Sequence, residues 1–475
     1  MLKCLNTIEL LAPAGSFEKL VYALEFGADA IYAGLPDLSL RARINKFDDK
    51  QIIEAINWTH SKNKKIYITI NIFAHNFHLD ILKKHLQIFK KNLPDAFIVS
   101  DVGVIEIIKK VFPGAEIHLS TQANTTNWQT ARFWHEQGVK RIILARELTL
   151  EEIEEIHKKV PKLELEYFVH GAMCLSYSGR CLLSSWQTGR NSNLGDCAQN
   201  CRWKYQLVEE KRPNEYIPIE QDDHGTYLLN SKDLCLIEYL DELKNAGITS
   251  FKIEGRAKSV YYLAQVVKAY KTALDIGTDT SIDEDPSSNI DTDKNSNPNS
   301  DSDSDTKTAK PDKKLGNKAI ASLDAAASKD AIDRNKEIEI RKLKRDLMRL
   351  MNRTFTTGFL FGECKFKGQE TKFSHTKEEY EFVGEVIKLE SKKLKVKSKN
   401  YNIIKIKVHN ALFTGDRVEF IQPKGDNIFC KIKNIYDDKT FEKLKSAHGG
   451  QERMVYIEIS KKPEVFSVMR KKLGS

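Results

Sequence analysis

Residues 65–71 read KIYITIN, 79–91 read LDILKKHLQIFKK and 96–100 read AFIVS. The first and last are short apolar runs rich in β-branched and aromatic residues, as strands covered on both faces require. The middle one carries Leu79, Leu82, Leu86 and Phe89 at three- and four-residue spacing, the stripe of a helix packed on one side. Strand, helix, strand implies parallel pairing through a right-handed crossover. The unit recurs in both directions. Strand-like runs also lie at 8–11, 28–33, 116–120, 141–145, 164–169 and 250–253, with helix-like stretches at 49–62, 128–137 and 150–158. Eight such strands predict an α/β fold, a (β/α)8 TIM-like barrel spanning 1–276. An open parallel sheet shares this periodicity and is the alternative.

A long excursion, 170–249, separates the seventh run from the eighth, and in a barrel it would emerge at the catalytic face. Composition then changes abruptly. Residues 277–332 include SDSDSD at 300–305 and few apolar side chains, too little burial to offset the entropy of ordering. A helical linker is expected at 333–370, with its helix at 333–351. The remainder, 371–475, is expected to be a small all-β domain, with strands at 383–389, 394–397, 403–408, 416–420 and 428–432.

With 41% hydrophobic residues the chain is globular rather than disordered. It has neither a signal-like N-terminus nor an apolar run of roughly 18 residues. A cytoplasmic, non-membrane protein is expected. From 371 onward, 23 Lys and Arg face 14 Asp and Glu, which accounts for the whole net charge of +9. Such a basic module suits a polyanion, nucleic acid first, or is a Lys-rich soluble domain.

Four of the eight cysteines, Cys174, Cys181, Cys197 and Cys201, fall within 28 residues in the spacing C-x6-C-x15-C-x3-C. Zinc sites favour two tight pairs, and only Cys197 and Cys201 form one. The wider first pair suits an iron–sulfur core, whose irons sit at separate corners. Zinc, or thiols without metal, remain the alternatives. Glu9, Asn71, Asp101, Gln122, Asn124, Arg146, Glu147, His170, Lys252, Glu254 and Arg256 lie at strand ends, where a barrel gathers its active site. Arg146, Lys252 and Arg256 suit an anionic ligand, and His170 a proton transfer. The competing reading is an ion-pair girdle, with Glu147 beside Arg146 and Glu254 beside Arg256. There is no GxSxG and no HExxH, which leaves only a His170–Cys174 dyad as a conceivable hydrolytic pair.

The run EYFVHGAMC at 166–174, followed by GRCLLS at 179–184, resembles the signature of the peptidase U32, or collagenase-like, family. LAPAG at 11–15, STQAN at 120–124, NSKDL at 230–234, FKIEGR at 251–256, Asn352-Arg353 and TGF at 357–359 extend the likeness over nearly the whole chain. DCAQNCRWKY at 196–205 is most similar to the branch acting in prephenate-dependent 5-hydroxylation of the tRNA wobble uridine. Related members act on ribosomal RNA cytidine or on ubiquinone. The resemblance implies a barrel, a 4Fe-4S cluster on the four cysteines, tRNA as substrate and prephenate, a small dicarboxylate, as co-substrate. On that reading His170, Lys252 and Glu254 are catalytic, while Gln122, Asn124, Arg146, Asp233 and Arg256 bind substrate. The family's label implies peptide-bond hydrolysis as the rival activity. The Asp/Ser/Asn-rich insertion departs from the family, but lengthening a surface loop costs little.

Overall fold

The computed structural model describes residues 8–40, 46–203, 207–209, 212–217, 230–278, 333–362, 368–370, 373, 375–389 and 402–473. Apolar runs become parallel strands: β1 (Glu9–Ala14), β2 (Ala30–Gly34), β3 (Lys65–Ile70), β4 (Ala96–Val99), β5 (Ile117–Leu119), β6 (Arg141–Ile143) and β7 (Glu164–Ala172). Two short antiparallel strands, β8 (Leu207–Glu209) and β9 (Arg212–Ile217), lie in the excursion, followed by β10 (Asp233–Cys235) and the eighth barrel strand, β11 (Ile248–Ile253). Closure is explicit. β11 pairs with β1, Leu11 opposite Lys252, and with β7, Lys252 opposite Phe168. An open sheet is thereby excluded. Apolar strand residues from Leu10 and Leu11 through Ile31, Ile68, Ile98 and Leu119 to Phe251 build the core, which also buries the polar and charged strand residues His118, Arg141, Glu166, Ser250 and Lys252.

β7 runs three residues beyond its expected end because β10 returns antiparallel along it, with Asp233 opposite Ala172 and Cys235 opposite His170. A partner past the rim lets the ladder continue. Gly171 makes this possible: its φ is +114°, and a Cβ there would stand 2.4 Å from the Glu254 carbonyl oxygen, so only glycine fits. β12 (Phe355–Thr356) pairs with β10. The helix after the insertion covers 333–348. From 279 onward the insertion read at 277–332 lies outside the described residues, as does the strand expected at 394–397.

The C-terminal residues form an antiparallel all-β domain whose main sheet has eight strands. Four of them, Asn434–Asp437, Lys443–Leu444, Met454–Ile459 and Val468–Lys472, are absent from the sequence reading. Val468–Lys472 has three charges in five residues, yet Arg470 is 1% exposed, because Glu419 accepts its Nε at 2.8 Å. Charge on a paired inward position hides a strand from composition. Arg470 also donates to the Tyr261 hydroxyl and to Gln265, and Tyr261 stacks on Phe382 at 5.5 Å. The domain therefore packs on the barrel helix Val260–Thr278. Among the described residues no helix is long and apolar enough to cross a membrane.

Candidate active site at the barrel mouth

At the C-terminal ends of the strands lies a cavity of about 190 Å³. The strands contribute Tyr32 from β2, Asn71 after β3, Gln122 after β5, Arg146 after β6, Phe168 from β7, and Lys252, Glu254 and Arg256 from β11 and its end. The excursion closes the other side. All four clustered cysteines, Cys174, Cys181, Cys197 and Cys201, line this one cavity, together with Arg202.

Lys252 is 4% exposed, with Nζ 2.6 Å from Glu166 Oε1 and 4.4 Å from the centre of the Tyr32 ring. Burial holds its pKa below the ordinary lysine value, an effect that Glu166 opposes without overcoming. Glu166, fully buried, also meets Arg141 at 3.3 Å, and Arg141 reaches Glu9 at 2.5 Å. Tyr67 and Ser250 donate to Glu9. The ion-pair girdle of this barrel is thus Glu9–Arg141–Glu166–Lys252, and Glu9 belongs to it rather than to the mouth. The girdle expected through Glu147 is corrected: Glu147 accepts from the Ser178 amide at 2.7 Å and from its hydroxyl at 3.2 Å. Arg146 donates to the Ala172 carbonyl at 2.9 Å and stacks 5.1 Å over Phe168. Arg256 Nη1 lies 3.4 Å from the Ser39 hydroxyl, and Glu254 accepts from Tyr32 at 3.2 Å.

Local turn chemistry shapes the cysteine loop. The Cys181 amide donates to Asn193 Oδ1 at 3.2 Å, and Ser192 donates to the Cys181 carbonyl at 2.6 Å. The Gln199 amide donates to Cys197 Sγ at 3.3 Å. Burial raises the Cys201 thiol, and the neighbouring Cys174 and Cys197 raise it further. No described cysteine is in a disulfide. Among the described residues no group of three or more His, Cys, Asp or Glu side chains is arranged to hold a single metal ion.

Gln122 lines the cavity with its side-chain oxygen buried and without a hydrogen-bond partner among the described residues. Four more expected site residues stand elsewhere. Asn124, left-handed at φ 60°, accepts from the Ser178 hydroxyl at 2.9 Å and fastens the loop. Asp233 pairs with Arg353 at 2.5 Å, both nearly fully buried; burial alone would raise its pKa, but Arg353 pulls it down. Because Arg353 also reaches the Met173 carbonyl at 3.4 Å, this pair braces the start of the cysteine loop. Asp101 caps the helix Val102–Val111 through the Val104 amide.

His170 is the fourth. A bulge between β7 and β11, where Phe168 faces Lys252 and His170 faces Ile253, re-aims the side chain. His170 is 2% exposed and packs against Tyr262, Tyr270 and Phe355, with Nδ1 3.3 Å from the Tyr270 hydroxyl. It is not on the cavity wall, whereas Cys174 is, so the dyad is not assembled. Burial lowers its pKa to about 4, with Asp233 opposing and Lys258 assisting. A histidine depressed in the folded state stabilises the fold above its unfolded pKa and loses that as pH falls toward the folded one. Wild type is expected to lose roughly 3 kcal/mol relative to His170→Gln between pH 7 and pH 4. Paired denaturation curves measure this; parallel losses in the two proteins would contradict it.

Tyr32, Phe168 and Arg202 are site residues to which the sequence reading assigned no role. Tyr32 could have been found, since it is an inward position near the end of a strand run.

Residues 15–302 match the family described as Peptidase family U32, and 378–470 its C-terminal domain. The chain is 33% identical over 474 residues to the tRNA hydroxylation protein P of Haemophilus influenzae, covering 91% of this chain and 89% of that protein. It is 35% identical over 270 residues to the 23S rRNA 5-hydroxycytidine C2501 synthase of Escherichia coli, covering 57% and 40% respectively. To a Collagenase of Porphyromonas gingivalis it is 33% identical over 291 residues, covering 59% and 68%. The closed barrel, the all-β C-terminal domain and the two successive matches agree on one assignment: this chain belongs to peptidase family U32.

Proposed function

We propose that the protein is an RNA-modifying enzyme that takes part in hydroxylating the tRNA wobble uridine, with prephenate as co-substrate and a 4Fe-4S cluster held by Cys174, Cys181, Cys197 and Cys201. One observation carries this reading: four thiols and the cations Arg146, Arg202, Lys252 and Arg256 line the same cavity. Relatives named for tRNA and rRNA hydroxylation support it.

The donor set suits the cluster. Four thiols with no disulfide line one cavity, and thiolates are the ligands on which such a cluster is held. When bound, such a cluster supplies electron transfer or a Lewis-acidic iron. The chain's own residues do the rest. Arg146 and Arg256 bind carboxylates, with the Arg146 plane fixed by the Phe168 ring and the Ala172 carbonyl. Lys252, buried between Tyr32 and Phe168, adds a point charge that Glu166 keeps in place. Glu254, oriented by Tyr32, is the carboxylate available to take a proton at the mouth. The buried Gln122 oxygen is left to accept from a base edge or a ligand hydroxyl.

Mass spectrometry of tRNA nucleosides tests the proposal. Deleting the gene should remove 5-hydroxyuridine and re-expression restore it; undiminished 5-hydroxyuridine in the deletion strain would sink the reading. The Collagenase relative favours peptide hydrolysis as a second reading. It requires anaerobically purified protein to cleave a collagen-like peptide, and a single cavity substitution to abolish the cleavage.

A further inference from the structure

The excursion exposes large apolar side chains around the outside of the cavity. Leu182 and Trp186 stand one helical turn apart at the helix Leu183–Thr188, 74% and 79% exposed. Trp203, 47% exposed, follows a segment fastened to the same helix: the Ala198 amide donates to Ser184 at 2.9 Å, and Asn200 to Gln187 at 2.7 Å. Two of these residues adjoin the cavity wall directly in the chain, Leu182 after Cys181 and Trp203 after Arg202. Solvated aromatic and aliphatic groups of this size, carried on two segments that are hydrogen-bonded to each other and flank cavity-lining residues in the chain, mark a binding surface.

Charge selects the occupant. Residues 171–203 hold Arg180, Arg190 and Arg202 against one acid, Asp196, which Arg190 binds at 2.8 Å. The cavity behind them is cationic through Arg146, Lys252 and Arg256. An apolar protein face or a membrane interior does not call for guanidinium groups between tryptophans. Unpaired nucleic acid does, because splayed bases stack on aromatic faces while phosphates seek cations.

We infer that Leu182, Trp186 and Trp203 form a stacking platform for the unpaired loop of an RNA, with Arg190 and Arg202 beside it for the phosphates. This rests on the RNA-hydroxylation reading and deepens it. Bases flanking the target stack on the platform instead of on the target, which lowers the cost of extruding that base into the cavity.

The test uses full-length protein purified anaerobically and two labelled RNAs, a hairpin with an unpaired loop and a fully paired duplex. Wild type should prefer the hairpin. Trp186→Ala should weaken hairpin binding about ten-fold, the worth of one stacked base, whereas Trp186→Phe, which keeps a ring, should retain most of it. Because Trp186 is solvated, melting temperatures should not change. Equal hairpin affinity for Trp186→Ala and wild type overturns the platform, as does equal wild-type affinity for both RNAs. Nucleoside analysis of the deletion strain separates the two claims. Lost 5-hydroxyuridine with Trp186-independent binding removes the platform alone. Retained 5-hydroxyuridine with Trp186-dependent binding removes the hydroxylation reading alone.

Discussion

Glu166→Gln is expected to destabilise the barrel by about 3–5 kcal/mol, the usual consequence of taking one partner from a buried ion pair. Glu166 is fully buried and holds Lys252 at 2.6 Å and Arg141 at 3.3 Å. Arg141 keeps Glu9 and Glu164, so the loss falls on Lys252. At roughly 2 °C or more per kcal/mol, the melting temperature should drop by about 10 °C. Lys252 has a way out, since burial already lowers its pKa. Without Glu166 it should release its proton on folding, so the variant should regain stability as pH rises toward 10. The sign follows from the depressed folded-state pKa of a base: the unfolded chain binds the extra proton, and raising pH removes that advantage. The double variant Glu166→Leu/Lys252→Met should recover most of the loss. A single variant that melts with wild type would show that the girdle does not support the fold.

Cys197→Ala is expected to lower 5-hydroxyuridine at least about 100-fold in cells, since loss of even an outer-shell partner of a metal ligand costs about 10- to 100-fold. The fold should survive, because Cys197 is exposed and belongs to no core. The decisive feature is non-additivity. Cys174→Ala, Cys181→Ala, Cys201→Ala and the combined variants should be no worse than Cys197→Ala, as groups acting as a unit behave. Cys430→Ala, in the core of the C-terminal domain, is the control and should retain the modification. Four graded, additive losses would mean that the cysteines act separately.

The barrel was readable because its strands are covered on both faces, so that Ile66, Ile68 and Ile70, or Phe97 through Val99, form runs with no other use. The cysteines were readable as a local feature because four thiols within 28 residues stand out in a mostly Cys-poor chain, and all four line the cavity. Arg146, Lys252 and Arg256 reach the cavity because the strand-end rule holds where strands stop at the rim. It fails at His170, where β10 prolongs β7 and a bulge redirects the side chain. Asp233, expected to bind substrate from the family resemblance, pairs with Arg353, 120 residues away, a distance across which no local pattern reports. The C-terminal strands were half legible; Val468–Lys472 escaped because its Arg470, ion-paired with Glu419, is buried where the domain meets Tyr261 and Gln265 of the barrel helix.

Iron and acid-labile sulfide in the anaerobically purified full-length chain test the central claim most directly. One shared centre at the barrel mouth predicts about four of each per chain, reduced to near zero in Cys197→Ala. A wild-type chain free of iron and sulfide that still restores 5-hydroxyuridine to a deletion strain would contradict it.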